Sequence, residues 1–368
     1  DSSFETGYGV WNQSGAVDDT TAFDGQRSVR LTGRLATRER YRYKLAGGRT
    51  YTFSVYLKGK EPGTKLSLEA PRTNWSGAES QTVVTVGTEW KRYSLSVAPK
   101  PDTSPTVWLC IDHPAWLGQP ERTYWVDACQ FEEGEMTPYQ SAEPISVACQ
   151  VESPVPGNVF YPEEKVKLTF QFYNSRQEEA AASLRYDLRD YYGKTAKSET
   201  LPFSLPGQEN LSRQITLDSL RRKGLYVVDY SLSAKTGDVV RSAVSFCIVA
   251  PPLPYSPEEG SPFGLSSAYG ARVPAVARMG AKWTEARFTW PWLENEQGKL
   301  EVDGLAHEVD YLNKHGINAI GRPERTAKWA GEYSEPTERA LPKEEALPAY
   351  ENFVFQVVSR LKGKVHYW

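Results

Sequence analysis

Apolar and polar residues alternate strictly along much of the first 250 positions. In residues 49–58 the side chains of Tyr51, Phe53, Val55 and Leu57 fall on one face, the period of two that a half-buried strand requires. The same alternation returns at 65–69, 90–97, 106–111 and 124–131. Gly47-Gly48, Pro62-Gly63, Pro99, Pro101 and Pro120 punctuate these runs, as expected of residues that favour turns over ladders. Short strands at this spacing predict a β-sandwich jelly roll over residues 1–144.

A connector at 140–144 leads to a second β segment, with strands expected at 145–152, 165–173, 182–188, 211–217, 224–234 and 239–249. Val166, Leu168, Phe170 and Phe172 alternate without exception. The run 224–230 resembles the penultimate strand of immunoglobulin-like domains, although the segment carries no Cys…Trp…Cys core pattern. Residues 145–251 are therefore expected to form an immunoglobulin-like spacer sandwich without catalytic residues.

The pattern changes after a proline-rich linker at 251–257. Short apolar strands at 263–267, 282–288, 317–321 and 364–368 now alternate with helices. Asp303 is the expected N-cap of a helix whose Leu305, Val309 and Leu312 share a face and which Gly316 ends. The strongest helical stripe is Tyr350, Phe353, Val354, Val357, Val358 and Leu361, stopped by Gly363. Alternating strands and helices predict a parallel sheet, either doubly wound or a (β/α)8 barrel. Residues 252–368 hold about three and a half βα units, whereas a full barrel takes about 250 residues. A half barrel would leave edge strands and an apolar interior open, an aggregation hazard.

Composition narrows the partner. With 43 basic and 46 acidic residues the net charge is −3, which gives no reason to expect nucleic acid or an anionic membrane. No apolar run reaches the length of a membrane span, and the chain opens at polar residues, as a mature or trimmed product would. Eleven Trp and 21 Tyr accompany only two Met. Such rings serve β cores and tyrosine corners, and they also suit stacking on sugar rings. The four cysteines, Cys110, Cys129, Cys149 and Cys247, have no metal-ligand spacing and are expected as reduced thiols. Cys149 and Cys247 fall on the first and last strands of the second segment.

The first segment resembles the galactose-binding-like jelly rolls that accompany secreted carbohydrate enzymes. The residues that carry the resemblance are Ser3-Phe4-Glu5, Asp24-Gly25 with Ser28, the strand at 50–58, and Thr88 with Trp90. A closing stretch at 126–139 adds Asp127, Gln130, Glu132, Gly134, Thr137, Pro138 and Tyr139. The resemblance implies a carbohydrate partner and a structural calcium near the first and last strands, with Glu5, Asp24 and Asp127 as oxygen donors. Ordinary turn or cap carboxylates are the alternative, since calcium needs six or more oxygens. Trp75 and Trp116 occupy loop-like segments, where exposed rings favour ligand stacking; a plug over the sandwich end would use them equally well.

The third segment resembles the opening half of clan A glycoside hydrolase barrels of the family 39 type. It does so through Phe263-Gly264, Trp283 with Glu285 and Arg287, His315-Gly316-Ile317, Gly321-Arg322-Pro323, Trp329-Ala330, and Tyr350 through Trp368. In that family the fourth strand runs on into an Asn-Glu-Pro segment that supplies the general acid/base, and the nucleophilic Glu comes from a later strand. No catalytic residue is therefore assigned in this chain, and no catalytic cofactor is expected. The rim of the site is expected to use Arg287, which would orient the nucleophile, with Trp290, Trp292, Arg322, Glu324, Trp329 and Trp368. A hydrophobic wedge at Trp290 and Trp292, or an ion pair at Arg287, is the competing assignment. Glu324 is not promoted to a catalytic acid, and Glu285, opposite in direction to Thr284, is expected to face the barrel interior or the helices.

The expected protein is the N-terminal portion of a secreted or cell-surface retaining glycoside hydrolase, partnered by carbohydrate and by the remainder of its own barrel. The alternative is a non-catalytic carbohydrate-binding protein with an incomplete or degenerate barrel.

Overall fold

The computed structural model describes the chain except residues 1–2, 13, 39–40, 74–76, 114–119, 121, 142–143, 219, 238, 253–262, 267 and 332–339. Eleven strands precede the first connector: β1 (Ala16–Asp18), β2 (Ser28–Leu31), β3 (Leu35–Ala36), β4 (Tyr43–Lys44), β5 (Tyr51–Gly59) and β6 (Thr64–Pro71). They continue as β7 (Ala78–Val86), β8 (Lys91–Val97), β9 (Thr106–Val107), β10 (Cys110–Asp112) and β11 (Tyr124–Glu133). A five-stranded sheet in the order β1-β2-β11-β5-β8 and a four-stranded sheet in the order β3-β10-β6-β7 enclose the core, and β4 pairs with β9. Alternation supplies that core. Phe53, Val55 and Leu57 from β5, and Leu66, Leu68 and Ala70 from β6, are completely buried. The single strand expected at 106–111 is instead two short ones, because β9 pairs with β4 while β10 pairs with β3 and β6.

The next eight strands are β12 (Ile145–Glu152), β13 (Val159–Phe160), β14 (Val166–Asn174), β15 (Ala180–Asp190), β16 (Thr195–Leu205), β17 (Asn210–Leu217), β18 (Gly224–Ala234) and β19 (Val239–Ile248). They form a three-stranded sheet, β12-β14-β17, and a five-stranded one, β13-β19-β18-β15-β16. Val166, Leu168, Phe170 and Phe172 are all fully buried, as their alternation predicts.

The last segment holds β20 (Gly264–Leu265), α1 (Val273–Arg278), β21 (Trp283–Thr289), α2 (Trp290–Leu293), α3 (Asp303–Lys314), β22 (Asn318–Glu324) and α4 (Leu347–Arg360). The three strands pair in parallel in chain order. Of the fourth expected strand the structure shows one parallel bridge, Ile320 to Tyr367. Thr284, Phe288 and Ala319 face the helices, where Val309, Leu312, Phe353 and Val357 bury them. Asp303 is the first helical residue of α3 rather than its N-cap; the cap is Val302, without a side-chain bond. Asp303 pairs instead with Arg360 of α4.

Strands pair only within three sets, β1–β11, β12–β19 and β20–β22. Backbone packing groups the chain into two compact units, one of residues 1–150, 168–215 and 227–244, the other of 151–167, 216–226 and 245–368. No disulfide joins the four cysteines. Among the described residues no helix is long and apolar enough to cross a membrane.

Candidate functional site

Register places a polar array on the outer face of the sheet β3-β10-β6-β7. Directly opposed residues in antiparallel strands share a face. Leu35, Ile111, Leu66 and Leu68 point into the core, so Ala36, Cys110, Asp112, Lys65, Ser67 and Glu69 point outward. Gln81, Val83 and Thr85 of β7 join them through their partners Glu69, Ser67 and Lys65. The Gln81 amide donates to Ser67 Oγ and to Glu69 Oε1, both at 3.0 Å.

Arg34 and Trp108 close the array at its other end. The guanidinium lies 4.8 Å from the centre of the Trp108 ring, within cation–π range. Its Nε donates to Cys110 Sγ at 2.9 Å and lies 3.9 Å from the Asp112 carboxylate. Burial pushes the Cys110 thiol up to about 12, against the opposing pull of Arg34. The sulfur is therefore neutral near pH 7 and is no nucleophile. A planar donor held on an aromatic ring beside two carboxylates and an amide can read hydroxyl groups by direction as well as by charge. Apart from Cys110, expected as a reduced thiol, none of these residues was singled out by sequence; the signal available was the parity of β6 and β10. Trp75 and Trp116 lie outside the described residues.

Of the three carboxylates expected to bind calcium, Glu5 and Asp127 accept N–H groups, and Asp24 takes side-chain bonds from Ser3 and Tyr139. Glu5 Oε1 accepts the backbone N–H groups of Gln26 and Arg27, each at 2.8 Å, and Oε2 accepts the Asn210 amide at 2.7 Å. Asp127 Oδ2 accepts N–H groups from Phe23 and Asp24, and Oδ1 accepts that of Ala128. Donors thus point at every oxygen of Glu5 and Asp127. Among the described residues no group of three or more His, Cys, Asp or Glu is arranged to hold a metal. As arranged, these residues do not fit a hard cation that needs six or more oxygens. Burial raises the proton affinity of Glu5 and of Asp24, and pushes Asp127 up to about 8.

A second array lies on the parallel sheet. Glu285 and Arg287 of β21 pair in register with Ile320 and Arg322 of β22, which puts all four on one face. Glu285 bonds Arg287 at 3.0 Å and also pairs with Arg322. Arg322 reaches Glu324 at 2.5 Å, and Thr289 donates to Glu324 at 3.2 Å. The structure thus brings Arg287, Arg322 and Glu324 together, with Glu285 and Thr289 beside them.

The tryptophans separate. Trp290 is completely buried against Phe353, Tyr350 and Trp329, and its Nε1 donates to buried Glu294 at 2.6 Å. The ring expected at the rim is in the core, the wedge position, and offers no face to a ligand. Trp329 lies edge-on to it and donates to the Glu294 carbonyl at 3.1 Å. Trp292 is 75% exposed. Trp368 packs on Phe288 and over Gly321; Gly321 pairs with Ala286, on the sheet face opposite Arg287 and Arg322.

A family model described as a carbohydrate-binding domain matches residues 1–116. No curated protein matches the chain. Among solved structures, a family 39 glycoside hydrolase from the gut symbiont Bacteroides cellulosilyticus WH2 aligns at 17% identity and a TM-score of 0.41, over 60% of this chain and 43% of its own. A CBM4 structure aligns at 14% identity and 0.22, over 32% of this chain and 67% of its own. Bacteroides uniformis β-glucuronidase 2 aligns at 12% and 0.29, over 91% and 45%. The chain spans less than half the length of the family 39 hydrolase. At TM-scores below 0.5 these likenesses carry no functional argument.

Proposed function

We propose that the chain is the carbohydrate-binding, N-terminal portion of a secreted or cell-surface retaining glycoside hydrolase, and that it holds polysaccharide on the outer face of β3-β10-β6-β7. The observation that carries the reading is the Arg34 guanidinium laid on Trp108 near Asp112 and Glu69, with Gln81 holding Glu69, in a module matched by a carbohydrate-binding family. Sugar hydroxyls donate to the two carboxylates and accept from Arg34, while Trp108 fixes the guanidinium plane and Gln81, with both amide hydrogens engaged, holds Glu69 in place.

The parallel sheet belongs in this reading to the opening of a (β/α)8 barrel, with Arg287, Arg322 and exposed Trp292 on the substrate side. Retention needs two carboxylates about 5–5.5 Å apart, one of them protonated. Glu285 and Glu324 are both tied to Arg322, which suits them to orienting the arginines of this face. The acid/base and the nucleophile are expected from the remainder of the barrel.

Affinity electrophoresis through gels containing xylan, barley β-glucan, laminarin or galactomannan tests the binding face. Retardation by at least one gel is expected, and Trp108→Ala or Arg34→Ala should weaken it about tenfold or more, the loss of one or two anchoring contacts. Unchanged retardation in both variants would remove this face from the proposal. Hydrolysis of aryl glycosides by the full-length protein should release sugar of retained anomeric configuration; inversion would overturn the barrel assignment.

A further inference from the structure

The longest hairpin of the second sandwich ends in two tyrosines that its fold does not use. Strands β15 and β16 pair from Ala180 and Leu205 to Arg189 and Thr195, with a bulge after Leu188, and the chain reverses through Asp190, Tyr191, Tyr192 and Gly193. The turn is rigid. Asp190 Oδ1 accepts the N–H groups of Tyr192 at 3.0 Å and Lys194 at 2.9 Å. The backbone bonds Gly193 N to Asp190 O at 2.9 Å and Asp190 N to Lys194 O at 3.0 Å, and Gly193 takes the positive φ of 80° that the reversal requires. Tyr191 is 71% and Tyr192 84% exposed. Their rings stand edge to face, 5.4 Å apart, so each remains open to solvent over most of its area.

Turn chemistry explains Asp190 and Gly193 but not the tyrosines, since Asn, Asp, Ser or Gly serve such positions without exposing large rings. We propose that this tip is a second carbohydrate contact, at which Tyr191 and Tyr192 stack on a polysaccharide chain. Charge argues for a neutral, hydroxyl-rich ligand. Along the hairpin Arg185 pairs with Asp187, Arg189 with Asp229 and Lys197 with Glu199, which leaves the single exposed Lys194 at the tip and no cationic stripe to attract an anionic membrane or nucleic acid. The rings carry polar hydroxyls and have no exposed aliphatic neighbours on the tip, which suits alternating C–H and O–H groups better than a lipid interior. A weak second contact tethered to the first raises retention on a polymer through effective concentration. The inference rests on the carbohydrate reading given above.

The test runs the whole chain through the same four polysaccharide gels as wild type, Tyr191→Ala/Tyr192→Ala, Tyr191→Phe/Tyr192→Phe and Trp108→Ala. Both tyrosines are exposed, so all hairpin variants should melt with the wild type. The alanine pair is expected to weaken retardation about two- to tenfold, the range for loss of ring-stacking contacts, while the phenylalanine pair keeps it. Added to Trp108→Ala, the alanine pair should remove the residual binding. An alanine pair that migrates like wild type in every gel that retards wild type overturns the hairpin site alone, as does a phenylalanine pair as weak as alanine. A wild type that no gel retards overturns both the hairpin site and the carbohydrate reading.

Discussion

Asp127 shows how one residue carries a measurable property of the fold. Its carboxyl is completely buried on β11 and is pushed up to about 8 by burial, with the neighbouring Asp24 adding to the shift and three backbone N–H groups opposing it. Asp24, Glu5, Tyr173 and Cys129 share its surroundings, and burial raises all four as well. A folded pKa above the unfolded one means that the folded state binds the proton more tightly. Stability from this group is therefore full below pH 4 and is lost as pH rises towards 8. Thermal scans from pH 5 to 9 should show a falling Tm for the jelly roll, and Asp127→Asn should flatten that slope. A Tm that rises across the same interval would refute the assignment. Glu5 offers a second test. Asn210→Ala removes its amide donor and should lower stability by about 1–3 kcal/mol, the cost of leaving a part-buried acceptor unpaired; scanning calorimetry reads it.

At the scale of elements, seven strands escaped the hydrophobic pattern: β1, β2, β3, β4 and β13, of two to four residues and too short to alternate, and the longer β7 and β16, which both lie at sheet edges. β7 carries Gln81, Val83 and Thr85 outward, and β16 contains Pro202. An edge strand buries one face against one neighbour only, so its alternation is weak, and it tolerates proline because one side needs no ladder bond. α2 escaped for another reason. Its four residues begin with Trp290 and Pro291, too short for helical periodicity, and their purpose lies in packing. Trp290→Ala should cost about 3–5 kcal/mol, as for other buried aromatic truncations. Trp292→Ala, two residues away and exposed, should change stability by less than about 0.5 kcal/mol. Chemical denaturation of both variants separates the core tryptophan from the surface one.

Across the whole molecule two sequence patterns, period-two alternation and strand–helix alternation, underlie three sets of paired strands. Alternation of period two becomes antiparallel sheets in β1–β11, and strand–helix alternation becomes the parallel β20-β21-β22. The parallel set draws its polar array from adjacent strands, because register sets Arg287 beside Arg322 and leaves Glu285 to bridge them. Replacing Glu285 by Gln should leave two facing arginines without their shared anion. The expected result is a loss of about 1–3 kcal/mol, the range for unpairing a part-exposed network of charged hydrogen bonds. That loss should grow as salt is lowered, since screening of the arginine pair weakens.

The sequence by itself determined the strand-rich character of the first two segments and the change to parallel βα order after residue 251. Each of these is written in local periodicity. Only the tertiary structure decided which rings are available and which carboxylates are engaged. It buried Trp290 and placed Trp368 on the far face of the sheet. It turned Glu5 and Asp127 towards N–H donors, and it set Arg34 on Trp108, 74 positions away in the chain. A side chain's partner across a sandwich depends on register and on strand order, which hydrophobic periodicity does not encode.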